Sequence, residues 1–319
     1  MAYATASFLR QVARSQAGRV LEAIADAEAA VDARRYGWQQ FYPAAVGARA
    51  EGLIERYELD AARAVVEELD AEEWEPNNSW VLFLRARGRV SMASGDPGSA
   101  LRDFLEWGER WPTRNPAAQC HWRGHAALAH AKLGNRREAV RLAEEELELS
   151  RAFGAARAVG VSQHALGLVS RGSAALALLR ESVATLETSQ ARIEVCRARI
   201  HLGSALRRAG EGAEARDLLH SGLALAQDLG AVALAHRAQE ELKLAGGRPR
   251  RRAASGIDSL TPGELRVVEL AAEGRTNREI AEALFVTVKA VEWHLRNAYP
   301  KLRVQGKKDL PAVLREARS

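Results

Sequence analysis

Four residues near the C-terminus, Lys289, Glu292, Trp293 and Arg296, recur at i, i+3, i+4 and i+7. On a helix that spacing lines them along one face. Their chemistry is that of recognition. Lysine and arginine donate to anionic oxygens or to acceptor edges of bases, and glutamate accepts from an amino group. The acids Glu144, Glu145 and Glu146 read as a solvated helix face. His121 and His125, at i,i+4, have no third ligand in view, so no metal site is expected. No phosphate-cradling loop, dinucleotide fingerprint or nucleophile–base set is present, so neither a cofactor nor an enzyme is expected.

The elements that position the four residues are written in capping signals. Thr261-Pro262-Gly263-Glu264 combines an N-cap threonine, proline at the first helical position and glutamate at the third. Leu265, Val268 and Ala272 follow on one face, and Gly274 ends that helix. Thr276-Asn277-Arg278-Glu279 is a second capping box, opening a short helix with the apolar stripe Ile280, Ala281 and Leu284. Phe285-Val286 makes an apolar turn, and Thr287 caps a third helix over about 288–299 with Val291, His294 and Ala298 inward. Pro300 disfavours helical geometry at Tyr299, so the helix is expected to stop about there. Two short helices joined by a tight turn, the second with a polar outer face, have the geometry of a helix-turn-helix, whose second helix enters the major groove of DNA.

The run Leu260-Thr261-Pro262-x-Glu264, then Glu273-Gly274-x-Thr276-Asn277-Arg278-Glu279-Ile280-Ala281, then Leu284-Phe285-Val286-Thr287-x-Lys289-x-Val291-Glu292-x-His294-Leu295, closely resembles the LuxR-type DNA-binding domain. The resemblance implies a DNA-contacting set of Thr276, Asn277, Arg278, Thr287, Lys289, Glu292, Trp293, Arg296 and Lys301. It also implies a terminal helix near 309–317 that forms a dimer contact, double-stranded promoter DNA as partner, and a contact with RNA polymerase. Departures from the family pattern are Ala290 for Thr, the bulky Trp293, Pro300, Arg303 for Gly, and Pro311 in the last helix. The stretch from about Cys120 to Arg252 is similar to the region preceding this domain in the large ATP-binding LuxR-like regulators, so the chain looks like the C-terminal part of such a regulator or a shortened relative.

Upstream, a repeat dominates. Ala23, Ala62, Ala100, Ala139, Ala175 and Ala215 are spaced by 39, 38, 39, 36 and 40 residues. Each has a small or apolar partner four residues on: Ala27, Val66, Phe104, Ala143, Leu179 and Leu219. Gly18, Gly95, Gly134, Gly172 and Gly210 precede most of them. A small residue at i with an apolar one at i+4 lets a neighbouring helix approach closely. A period near 38 holds two helices and two turns, and the pattern resembles tetratricopeptide-like repeats. Trp74, Trp80, Trp107, Trp111 and Trp122 read as core more readily than as the lining of a concavity.

Composition sets the remaining bounds. The chain has 319 residues, 47% of them apolar and 27% charged, with 9 prolines, which favours helix. Cys120 and Cys196 lie in unrelated stretches and predict no disulfide framework. No run is long and apolar enough to span a membrane, and the expected location is the cytoplasm, with the nucleoid. From Arg248 onward there are 15 Lys/Arg against 9 Asp/Glu, a balance of +6, while the rest of the chain carries −1. A neutral body with a basic tail fits a nucleic-acid module on a regulatory body. The stretch AGGRPRRRAASG interrupts helix with glycine, proline and mutually repelling arginines.

The expected architecture is therefore all-α: a tetratricopeptide-like helical-hairpin array over 1–245, a basic flexible linker over 246–257, and a small four-helix LuxR-type helix-turn-helix domain over 258–319. The expected function is sequence-specific transcriptional regulation, with the array receiving a protein or small-molecule effector and two copies acting as a dimer on DNA. The alternative is a helical-repeat scaffold whose helix-turn-helix no longer binds an operator.

Overall fold

The computed structural model describes residues 2–39, 41–69, 78–110, 121–246, 256, 259–260, 262–284 and 286–316. Among them every regular element is a helix, and none is long and apolar enough to cross a membrane. The chain divides into two compact units, Met1–Gly247 and Arg248–Ser319. Trp74, Trp111, Cys120, Thr261, Phe285 and most of the basic stretch expected as a linker lie outside the described residues.

The first unit is a row of antiparallel helix pairs. These are α1 (Ala2–Gln16) with α2 (Val20–Asp32), α3 (Tyr42–Glu55) with α4 (Leu59–Glu67), and α5 (Asn78–Ala93) with α6 (Pro97–Arg110). They continue as α7 (Trp122–Lys132) with α8 (Arg136–Phe153), α9 (Ala156–Val169) with α10 (Gly172–Glu187), and α11 (Arg192–Ala209) with α12 (Gly212–Leu229). A last helix, α13 (Val232–Leu244), closes the row. The six repeat alanines all fall on the second helix of a pair. Five are buried, Ala175 is half-buried, and every i+4 partner is buried. The small side chain therefore sits where helices touch, as the spacing implies. Trp80 and Trp107 are core residues.

Tight turns join the pairs, and their glycines hold left-handed backbone: Gly18, Gly95, Gly134 and Gly210 have φ between 74° and 86°. Between α3 and α4 the same place holds Tyr57, at φ 67°. A side chain there costs on the order of 1–2 kcal/mol relative to glycine. Tyr57 is held by stacking on His236 of α13, with ring centroids 4.9 Å apart.

That contact belongs to a closure of the array. Val20 and Ile24 of α2 share a core with Ile200, Leu219, Leu223, Leu229 and Leu234 of the last helices. A Cβ at Gly18 would stand 2.6 Å from Leu229 Cδ2 and its φ is 74°, so a side chain there would displace Leu229 and strain the backbone. Arg197 of α11 ion-pairs with Glu55 of α3, across 142 positions of sequence. The row thus coils until its first and last pairs meet.

The expectation for the acids of α8 is corrected here. Glu146 is fully buried, and its Oε1 lies 3.2 Å from His121 Nδ1. Each residue of a helix is turned by about 100° from the last, so Glu146 falls on the same inward face as Leu142 and Ala143. His125 instead packs against the rings of Phe104 and Trp107. Among the described residues no three candidate ligands converge on a metal position.

The second unit comprises α14 (Pro262–Ala272), α15 (Asn277–Leu284), α16 (Val288–Leu302), a short turn of 3₁₀ helix at Lys307–Asp309, and α17 (Leu310–Glu316). Val267, Val268 and Ala271 of α14, Ile280 and Ala281 of α15, Val291, Leu295, Ala298 and Leu302 of α16, and Leu310 and Leu314 of α17 form one core. Fully burying a side chain such as Ile280 contributes about 1.5–3 kcal/mol, which is how an eight-residue helix is held.

Candidate nucleic-acid interface

The start of α15 is closed reciprocally. Glu279 N–H donates to Thr276 Oγ1 at 3.2 Å, while Thr276 N–H donates to Glu279 Oε2 at 2.7 Å. The hydroxyl of Thr276 also donates to Glu279, at 2.9 Å. These bonds to the backbone and hydroxyl of Thr276 hold the Glu279 carboxyl below its usual pKa, so it stays ionised as a cap. Val286 N–H returns to the Ala281 carbonyl at 2.9 Å and ends the helix. Thr287 then caps α16, its Oγ1 accepting from Ala290 N–H at 3.2 Å. Both helix starts present N–H groups and a positive dipole end, the usual setting for a phosphate.

The faces of α16 separate cleanly. Val291, Leu295, Ala298 and Leu302 are buried, and Lys289, Glu292 and Arg296 are exposed. Trp293 is half-buried and meets His294 edge-on, with centroids 5.1 Å apart. It lies on the shoulder of the exposed face and is less free than its three companions. The ring of His294 is packed into the domain with Nδ1 buried and unbonded. Burial lowers its pKa, helped by Arg266 and Lys301 against the pull of Glu264, so the imidazole is neutral at neutral pH.

Three expected contact residues are engaged within the unit. Lys301 Nζ donates to both carboxylate oxygens of Glu264, at 2.7 and 2.6 Å, and Glu264 is itself buried. Its ammonium is thus engaged by a carboxylate of its own unit, while the side chain stays one third exposed. A buried carboxylate needs a counter-charge, and Lys301 is the cation placed to supply it. Asn277 Oδ1 accepts from Lys307 Nζ at 3.3 Å, and Lys307 also bonds the Arg275 carbonyl. Arg278 pairs with Glu282 at 3.3 Å, but both are so exposed that the pair contributes little and can exchange for a phosphate.

Lys307 was missed by sequence reasoning. The doubled Lys307-Lys308 after Gly306 marks a basic turn, but its reach to the start of α15 spans 30 residues and has no local signal.

A second correction concerns Pro300. The helix does not stop before it: α16 runs to Leu302, and Arg303 closes it in left-handed geometry, φ 56° and ψ 39°. Arg303 N–H bonds the Pro300 carbonyl and Val304 N–H bonds that of Tyr299, at 3.3 and 3.1 Å. Proline at 300 removes the donor that would reach the Arg296 carbonyl, so the last turn depends on tertiary contacts. The burial of Leu302 and the Lys301–Glu264 pair hold that turn in place. Arg303 occupies a conformation that glycine adopts without strain.

Comparison with known proteins matches this geometry. Residues 258–313 match the family described as "Bacterial regulatory proteins, luxR family". The HTH-type transcriptional regulator Rv0890c of Mycobacterium tuberculosis (strain H37Rv) is 43% identical over 81 residues, 25% of this chain and 8% of that protein. The transcriptional regulatory protein LiaR of Bacillus subtilis (strain 168) is 51% identical over 47 residues, 15% of this chain and 22% of that protein. The chain thus spans only a small part of the curated relatives it matches. Among solved structures, the TPR2AB-domain:pHSP90-complex of yeast Sti1 aligns at 14% identity and TM-score 0.27, covering 76% of this chain and 98% of that one. A score of that size does not define a shared fold. The C-terminal helices are therefore a LuxR-type helix-turn-helix domain, a kind of domain that binds double-stranded DNA.

Proposed function

We propose that the protein is a sequence-specific transcriptional regulator that lays α16 in the major groove. The observation carrying this reading is the one-sidedness of α16: its apolar face is buried, and Lys289, Glu292 and Arg296 are exposed without a carboxylate or cation partner among the described residues. In this role Arg296 and Lys289 donate to guanine edges or phosphates, and Glu292 accepts from cytosine and repels misplaced phosphate. Trp293 flanks them. Thr276, Asn277, Arg278 and Thr287 lie at the two helix starts that approach the backbone. The helical array receives a protein or small-molecule signal. Two copies bind as a dimer through α17 and contact RNA polymerase, in the cytoplasm with the nucleoid.

The test is fluorescence anisotropy of the full chain on a fragment selected from genomic DNA and on a scrambled duplex, at several salt concentrations. Arg296→Ala is expected to weaken binding. If Arg296 touches phosphate alone, the loss is equal on both duplexes and the salt slope falls by about one. If it reads a base, discrimination shrinks by about 1–3 kcal/mol. Glu292→Ala is expected to leave scrambled DNA bound equally or more tightly while discrimination falls. Affinity and slope unchanged in both variants would overturn the assignment of α16 as the reading helix.

A further inference from the structure

The array carries one polar face that its packing does not explain. On α11, Glu194, Arg197, His201, Ser204 and Arg208 fall at intervals of three and four, hence along one stripe. Arg157 and His164 on α9 share a stripe in the same way, as do Arg237 and Glu241 on α13. The three stripes meet. His164 Nε2 and His201 Nδ1 are 2.7 Å apart with their rings stacked at 4.8 Å, joining α9 to α11. Arg237 acts on both rings from α13.

Charge on this face is out of balance. Arg157, Arg197, Arg207, Arg208 and Arg237 stand against Glu194 and Glu241, with Glu55 of α3 shared between Arg197 and Arg89. Both local carboxylates are already engaged, Glu194 by Arg197 at 2.6 Å and Glu241 by Arg207 at 2.9 Å. No carboxylate within ion-pair distance of Arg237 or Arg208 is found among the described residues, although both side chains reach solvent. Two donors here are buried and unbonded as well: Arg157 Nε, and the hydroxyl of Ser204 one turn beyond His201.

Burial, then Arg197 and Arg208, lower the Arg237 pKa against the pull of Glu241, the sign of a cation placed among cations. Burial, with Arg197 and Arg237, lowers the pKa of both histidines, against the pull of Glu194 at His164, and keeps them neutral. Only one N–H can occupy the bond between two neutral imidazoles, so the pair keeps one more to donate. Uncompensated guanidinium groups beside unbonded donors and a neutral imidazole pair make a binding surface for anionic oxygens.

We propose that the shared face of α9, α11 and α13 binds a small polyanionic effector, a molecule carrying clustered phosphate or carboxylate groups, held by Arg237 and Arg208 beside the His164–His201 pair. This deepens the reading of the array as the signal-receiving region and rests on it. The surplus of cations is the opposite of what stability alone would place there, because each unpaired guanidinium repels its neighbours.

The test is thermal unfolding of the full chain at pH 7.5 in sodium chloride, sodium phosphate and sodium citrate at matched ionic strength. The expected result is a saturable rise in Tm of about 3 °C or more with phosphate, citrate or both, relative to chloride. The phosphate and citrate arms distinguish the two ligand chemistries. Arg237→Gln should abolish the rise and, in chloride, unfold at the same temperature as the parent or higher. Arg208→Gln, at an exposed position, gives a second reading with the same expectation.

Equal Tm in all three salts, or a rise that survives both substitutions, overturns the proposal. So does a chloride Tm for Arg237→Gln well below the parent, which would make Arg237 a structural residue. Anisotropy on the selected DNA fragment is measured in parallel. DNA binding without an anion-specific rise removes the effector class and leaves the regulator reading standing. The rise without DNA binding does the reverse.

Discussion

The two units use the same cations in opposite ways. In the array most arginines on the inter-helix faces are tied to carboxylates: Arg85 to Glu51 at 2.8 Å, Arg87 to Asp103 at 2.7 Å, and Arg89 to both Glu51 and Glu55. On α16 the exposed Lys289 and Arg296 have no such partner among the described residues. Paired charges fix which helix lies against which, because any other register leaves an ion without its counter-ion. Unpaired charges on a surface hold nothing in place and are available to a partner. Within the C-terminal unit the half-buried Lys301–Glu264 pair behaves like the array.

The comparison breaks most visibly at Glu51. Burial works to raise its pKa, but Arg85 and Arg89 overcome that and hold it at about 2. Glu51→Gln leaves the half-buried Arg85 without its counter-ion and Arg89 with Glu55 alone, and a loss of about 1–3 kcal/mol is expected. Chemical denaturation of the full chain checks this. A loss under about 1 kcal/mol would mean that the network is ornamental to stability.

Acidification tests the same contrast without mutation. Burial first, then neighbouring arginines, lower the pKa of His125 to about 3, and burial lowers that of His164 to about 4. The unfolded chain takes up these protons below about pH 6.5, whereas the folded chain does not. Stability is therefore complete above pH 6.5 and declines as pH falls toward 4, by about 1.4 kcal/mol per pH unit for each histidine at full titration. Glu51 adds a loss of the same sign from about pH 4.5 toward 2, since its folded-state pKa is depressed. Hydrogen exchange at pH 7.5 and 5.5 should show the array helices losing more protection than α14–α16, where His294 is the one histidine. Equal losses in both units would contradict the contrast.

Smaller effects sharpen the other side. Arg296→Ala should shift DNA affinity while leaving Tm within the range equivalent to about 0.5 kcal/mol, as expected of an unpaired surface residue. Arg303→Gly relieves a left-handed arginine and should stabilise the C-terminal unit by about 1 kcal/mol, readable as slower exchange in α14 and α16. Destabilisation by that glycine would show that the arginine side chain makes a contact outweighing the backbone cost.

Much of the fold could be read because it is local. The alanine spacing located the second helix of every pair, Thr276 with Glu279 and Thr287 located the starts of α15 and α16, and the 3.6-residue period separated Val291 and Ala298 from Lys289, Glu292 and Arg296. Each of these depends on residues within one or two helical turns, where covalent geometry fixes who is adjacent.

Pro300 shows the limit. Its local propensity argues for a helix end at Tyr299, yet the buried Leu302 and the Glu264 carboxylate, 37 positions away from Lys301, carry the helix through. The orientation of Lys301, the bond from Lys307 to Asn277, the Tyr57–His236 stack, the Arg197–Glu55 pair and the meeting of His164 with His201 have the same origin. The sequence by itself determined the second helix of each pair, the starts of α15 and α16 and the polar stripe of α16. Only the tertiary structure decided which charged groups found partners, because pairing depends on distances between segments 12 to 142 residues apart, and those distances exist only once the apolar faces have packed.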